Sequence, residues 1–217
     1  MKMLIIGLML SLTSMAWCQD PETVPLTSET LRRLTPVTAN IHVSPFSTWL
    51  PTKYGISLGW VASETWTWEA EYTHASVAAK ALDVDFGKVT DERYGVQGRW
   101  FSGNSFNLIF GLFKSHFSFD LGPSYLSSIP GASAVVWKFE SLGPQLGLGN
   151  RWQWSNGLTF GVDWLVMYIP LFNKTTDEGM INSITNPEDK ANVEKATSAI
   201  QNVPQFDVLR VMLGYSF

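Results

Sequence analysis

From Asn40 to the C-terminus, apolar and polar residues alternate one by one in segment after segment, the signature of strands that keep one face in an apolar medium. Beyond the first residues, nothing approaches the roughly 18 consecutive apolar residues of a membrane-crossing helix. Strands must therefore carry the hydrophobic side chains. These are many, since 45% of the 217 residues are hydrophobic and only 16% are charged, which excludes a disordered chain. Mean hydropathy is nonetheless only +0.03, as it must be when the apolar half is spread one residue in two. A net charge of −4 gives no electrostatic basis for binding nucleic acid.

The clearest strand is 206–217, with Leu209, Val211, Leu213, Tyr215 and Phe217 on one face and Val208, Arg210, Met212, Gly214 and Ser216 on the other. A strand over 158–170 places Leu158, Phe160, Val162, Trp164, Val166 and Tyr168 together, after the tight turn Ser155-Asn156-Gly157. A strand over 142–153 precedes that turn. Similar hairpins join 93–101 to 106–118 and 54–62 to 65–75, and a weaker strand covers 39–46. The longer connections are 47–53, 76–91, 119–141 and 171–205. Short turns at one end and long loops at the other predict an all-β fold. The expected architecture is an eight-stranded antiparallel up-and-down transmembrane β-barrel with short periplasmic turns and longer external loops. In the longest loop, Asn186 and Pro187 followed by early acids predict a short helix, a contact surface for an external partner.

A terminal Phe217, Tyr215 two residues before it, and Leu213, Val211 and Leu209 at alternate positions resemble the C-terminal signature of bacterial outer-membrane β-barrel proteins. The resemblance implies an integral outer-membrane protein inserted by the barrel assembly machinery, in contact with outer-membrane lipid and lipopolysaccharide, with no intrinsic cofactor. Residues 1–18 fit the label such a protein needs: Lys2, an apolar core over 4–12 and small residues near the end read as a cleaved signal peptide. Cleavage after Ala16 or after Cys18 both fit. Cys18 is the only cysteine, so no internal disulfide or Cys-rich metal site is expected. Residues 19–36 read as a periplasmic N-terminal tether with a short helix starting at Ser28, and 37–217 as the barrel.

With the apolar parity turned to lipid, Glu69, Glu71, Arg93, Arg99, Arg151, Asp163 and Arg210 all fall inward. An eight-stranded barrel has an interior just wide enough for side chains to fill. Charges of both signs there predict a paired network, with Glu69 near Arg99 and Asp163 near Arg210, and favour a filled barrel over a pore; a narrow channel is the alternative. Trp60, Trp66, Trp68, Trp100, Trp152 and Trp154 all lie close to a tight turn, where amphipathic rings settle at a headgroup boundary.

The chain has no Walker loop, dinucleotide fingerprint, HExxH or GxSxG. His42, His74 and His116 lie on different strands without metal spacing. The one catalytic pattern is His116-Phe117-Ser118 with Glu140, all expected on the outward face, which is similar to the His-x-Ser and Glu of outer-membrane lipid A deacylases. It departs from them in having Phe119 and Asp120 where that family has an Asn, a longer spacing to the Glu, and two further strands after the site. The competing reading has Lys114 and His116 meeting lipopolysaccharide phosphates at the rim. The expected function is a non-enzymatic barrel serving surface interaction or envelope integrity through its external loops, with an outer-leaflet lipid hydrolase or a narrow channel as alternatives.

Overall fold

The computed structural model describes residues 26–48, 50–81, 84–121, 136–177, 179–182 and 186–217. The segment read as a signal peptide, its two expected cleavage positions and Cys18 lie outside the described residues. Eight long strands form the staves: β1 (Val37–Ser44), β3 (Lys53–Ser63), β4 (Trp66–Ala81), β5 (Val84–Phe101), β6 (Phe106–Leu121), β7 (Val136–Gln153), β8 (Leu158–Tyr168) and β10 (Gln205–Ser216). Each pairs antiparallel with its neighbour in chain order, and β1 pairs with β10 from Thr38↔Ser216 to Val43↔Val211, so the sheet closes on itself. Closure leaves no stave with a free edge. Two short strands add to the rim: β2 (Phe46–Ser47) on β10 and β9 (Phe172–Asp177) on β7.

Tight turns join the staves at one end. In the last of them Gly157 adopts φ +86°, a conformation open to glycine at little cost, and its carbonyl accepts from the Ser216 amide at 2.7 Å. Across the same end lies α1 (Ser28–Leu34), capped by the Thr27 side chain, which accepts from the Thr30 amide. The helix expected from Ser28 is thus docked on the barrel.

At the opposite end the strands run further than expected. The segments 76–91 and 119–141, anticipated as loops, supply the upper halves of β4 to β7: β4 reaches Ala81, β5 starts at Val84, β6 reaches Leu121 and β7 starts at Val136. The hydrogen-bonded ladder continues there while the outward face turns polar, with Ser76, Lys88, Thr90, Glu92, Ser118 and Lys138, so the pattern of outward apolar residues ends before the strand does. In the 171–205 connection, α2 (Gly179–Asn182) and α3 (Pro187–Asn202) follow β9. The α3 N-cap is Asn186, whose side chain accepts from the Glu188 amide, with Pro187 in the first turn.

A second correction concerns β8 and β10. Val166 and Tyr168 were expected on the lipid-facing side with Leu158 and Phe160, yet both are fully buried inside. The cause is a bulge: Leu148 pairs with Leu165 but Gly149 pairs with Asp163, so Trp164 is an extra residue and the parity flips above it. Trp164 and Leu165 both face outward. Beside them on β10, Leu209 has φ +59°, unusual for a bulky residue, and sits half-buried in place of its expected lipid-facing position. Val208, expected inside, faces out at 44% exposure, and Asp207 and Gln205 turn into the lumen.

The result inverts a soluble protein. Ile56, Leu58, Val96 and Leu112 are 52% to 64% exposed on the outer wall, whereas Arg93, Arg99, Arg210, Gln97 and Glu69 are among the most completely buried side chains. A contiguous exposed apolar band of this kind marks a surface that meets something apolar.

Candidate functional site

The lumen holds two tiers of charge. In the tier nearer the tight turns, Arg99 donates from Nε to Glu69 Oε2 at 2.7 Å, from Nη1 to Asp163 Oδ1 at 2.7 Å and from Nη2 to Asp163 Oδ2 at 2.9 Å. Arg210 donates to the same Asp163 Oδ2 through Nη2 at 2.7 Å and reaches Glu71 Oε1 at 2.6 Å. Arg151 donates to Glu69 Oε1. Gln97 Nε2 bonds both Glu69 and Glu71 at 2.9 Å, and Asn107 accepts from Arg99 at 3.0 Å. Three guanidinium groups thus face three carboxylates, as a low-dielectric interior demands.

The second tier stands above it. Lys53 Nζ lies 2.7 Å from Asp91 and 3.4 Å from Asp207, and Arg93 lies 3.7 Å from each of the same carboxylates. Its guanidinium also stacks 4.5 Å over the Tyr168 ring and donates to Gln205. Gln145 joins the tiers, donating to Gln97 Oε1 at 3.1 Å and accepting from Arg93. All seven charges placed inward by sequence parity are buried here, and Glu69 with Arg99 and Asp163 with Arg210 are direct partners. Sequence reasoning missed Lys53, Asp91 and Asp207. The first two lie in 47–53 and 76–91, which read as connections, and the third is hidden by the Leu209 irregularity. Asp91 was recoverable, because it shares the parity of Arg93 two residues later. His42, on β1, is buried with Nε2 3.9 Å from Glu71.

The turn end is closed by α1. Arg32, only 3% exposed, donates to the carbonyls of Glu64 at 2.8 Å, Asn104 at 2.8 Å and Gly103 at 3.0 Å, and its guanidinium stacks 3.8 Å over Phe101. One side chain therefore clips two hairpin turns together. Burial lowers the Arg32 pKa to about 10, so it remains charged at neutral pH. Ser28 adds a reciprocal pair with the backbone of Gln153.

On the outer wall, polar side chains sit above the apolar band. His116 and Glu140 are direct cross-strand partners, with Nδ1 to Oε1 at 3.2 Å, and Lys114 Nζ holds the other carboxylate oxygen at 2.7 Å. The second imidazole nitrogen, Nε2, lies 3.2 Å from the Tyr94 hydroxyl, and the two rings stack. A nucleophilic serine needs that nitrogen as its base. Among the described residues no hydrogen bond joins Ser118 to His116, so the structure brings His116 and Glu140 together and leaves Ser118 outside the pair. Beside them, Glu92 holds His74 at 3.2 Å and Tyr72 at 3.3 Å. No group of His, Cys, Asp and Glu among the described residues has a metal-binding arrangement.

Trp60, Trp66, Trp68, Trp100 and Trp154 are 36% to 60% exposed on the outside near the tight turns, and Trp152 stacks on Phe160. Val211, Leu213, Tyr215 and Phe217 share the same outer wall, 36% to 61% exposed.

No protein-family model and no curated protein matches the chain. Among solved structures it is similar to CarO of Acinetobacter baumannii (14% identity over 85% of this chain and 99% of that one, TM-score 0.43). It is also similar to the N-terminal β-barrel domain of Pseudomonas aeruginosa OprF (10%, 84% and 98%, TM-score 0.43). A third is a major outer membrane protein from Thermus thermophilus (11%, 83% and 99%, TM-score 0.49). The chain folds as a closed eight-stranded antiparallel β-barrel. That rests on its own strand pairings, which run unbroken around the barrel.

Proposed function

We propose that this chain is an integral outer-membrane barrel that conducts nothing, stabilises the envelope as a sealed body, and offers its long hairpins and α3 as an external contact surface. The observation that carries this reading is the charge-matched network of the lumen: an exposed apolar wall surrounds an interior in which three carboxylates meet three guanidiniums, with α1 across one end. Outward apolar and inward polar faces match the two media of a bilayer barrel. The tight-turn end, with its tryptophans, is read as periplasmic. The outward Lys114 and His116 are read as meeting lipopolysaccharide headgroups, and the Tyr215 and Phe217 side chains as available to the assembly machinery. Purified protein in a planar bilayer tests the sealed lumen. A silent membrane is expected, and reproducible conductance steps would overturn the reading.

The paired His116 and Glu140 favour one further reading, an outer-leaflet acyl hydrolase with Ser118 as nucleophile. It ranks second because the base nitrogen is turned to Tyr94. Comparing lipid A acyl composition in cells carrying the wild type and Ser118→Ala separates the two, and an acyl chain lost only with wild type would establish the enzyme.

A further inference from the structure

Above Ser115 and Ser141, the inward faces of β6 and β7 become aromatic. Phe117, Trp137 and Phe139 form a buried cluster, with Phe139 5.0 Å from each of the other two ring centroids, and Phe119 packs against it. Over this aromatic floor lies α3, presenting Val193, Ala196, Thr197 and Ile200, the spacing of one helix face. Its last turn is tied down by hydrogen bonds from Gln201 to Thr175 and from Asn173 to Asn202, each at 2.9 Å. Between floor and helix is a cavity of about 300 Å³, at the lower end of the range for small-molecule sites. It lies beyond both luminal charge tiers, at the end of the barrel away from the tight turns.

The chemistry of the lining narrows the occupant. Among the described residues no charged side chain lines the cavity. The hydroxyl among the described lining residues, on Thr197, donates back to the Val193 carbonyl at 2.9 Å. Trp137 is 4% exposed, yet its indole Nε1 has no hydrogen-bond partner. A buried N–H left unpaired is costly, and a ligand acceptor oxygen satisfies it without the penalty that a buried carboxylate would bring. We propose that this cavity binds a neutral amphiphile, an alcohol or ester with a medium-length alkyl chain. The chain lies between the aromatic floor and α3, and the oxygen accepts from Trp137. If a methylene fills about as much space as a water, about 30 Å³, the cavity takes roughly ten carbons.

Isothermal titration of the full-length protein in lipid nanodiscs with 1-octanol and with octanoate tests this independently of any conductance measurement. Ala196→Trp fills the cavity from the helix side, and partitioning into the nanodisc lipid, common to both proteins, cancels in the difference. The expected result is saturable one-to-one binding of octanol by the wild type that Ala196→Trp abolishes. Octanoate at pH 8 should bind at least tenfold more weakly. Trp137→Phe should weaken octanol about fivefold, the effect of one neutral hydrogen bond, and it carries the test alone should Ala196→Trp fail to fold. Identical isotherms for wild type and Ala196→Trp, octanoate binding as tightly as octanol, or unchanged affinity in Trp137→Phe would each overturn the proposal.

Discussion

Replacing Arg99 with Met examines the luminal network at its centre. Arg99 is wholly buried and makes ion pairs to both Glu69 and Asp163. Removing one partner of a buried ion pair typically costs about 3–5 kcal/mol, because the remaining charge stays buried and uncompensated. Here neither carboxylate is left bare, since Glu69 keeps Arg151 and Gln97 and Asp163 keeps Arg210. The cost should therefore fall near the lower end, about 3 kcal/mol. Asp163→Asn alone should also destabilise, since it unbalances two guanidiniums. The double variant Arg99→Met/Asp163→Asn restores equal numbers of charges in its tier, so its cost should fall short of the sum of the singles by about 2 kcal/mol, within the range of directly contacting residues. The assay is urea-dependent folding into lipid vesicles, followed by tryptophan fluorescence and by the mobility difference between unboiled and boiled samples. Costs that add within about 0.5 kcal/mol, or a single Arg99→Met cost below about 1 kcal/mol, would refute the reasoning that the network is a charge-matched unit.

Other perturbations examine the wall, the plug and the turns. Val96 is 52% exposed on the outside, and at about 2.5 Å of depth per tilted residue it lies near the middle of a bilayer band. Val96→Arg should cost about 2–4 kcal/mol in the vesicle assay, and a cost near zero would mean that this face does not meet lipid. Arg32→Ala removes the three carbonyl contacts that dock α1; amide exchange over 30–34 should accelerate at least tenfold while the strands stay protected, and unchanged protection would show that Arg32 is not the clip. Gly157→Val places a β-branched residue at φ +86° against Tyr215, which should lower stability by about 1–3 kcal/mol; equal urea midpoints would argue against a strained turn.

The barrel was legible because two signals reinforce each other over most of the chain. Alternation located the lower half of each stave, and turn chemistry such as Ser155-Asn156-Gly157 fixed which end was short. Parity then assigned Glu69, Arg99, Arg151 and Arg210 to the interior without any motif. It failed where its physical basis fails. Above the apolar band the outward face of β4 to β7 turns polar, and on β6 and β7 the apolar side chains Phe117, Phe119, Trp137 and Phe139 turn inward, so the pattern that marks a lipid-facing strand ends before the ladder does. A single extra residue at Trp164 reverses every side chain beyond it on β8, which is how Tyr168 escaped notice, and the Leu209 irregularity does the same for Asp207 on β10. Nothing local announces such a bulge, because Trp164-Leu165 reads as ordinary strand. The outward trio shows another limit. Strand spacing sets His116 beside Glu140, but it does not say which way the second imidazole nitrogen turns, and that nitrogen meets Tyr94.

The central claim is that one wall of these strands faces lipid while the other encloses a dry, charge-filled interior. Nitroxide labels placed one at a time along 66–73 of β4 in reconstituted bilayers, read for oxygen and for water-soluble nickel accessibility, test it most directly. The account predicts a period of two, with high oxygen accessibility at Trp68, Ala70 and Tyr72 and low accessibility to both reagents at Thr67, Glu69, Glu71 and Thr73. Nickel accessibility at Glu69 and Glu71 would mean a water-filled lumen, and a loss of the two-residue period would contradict the barrel in the bilayer altogether.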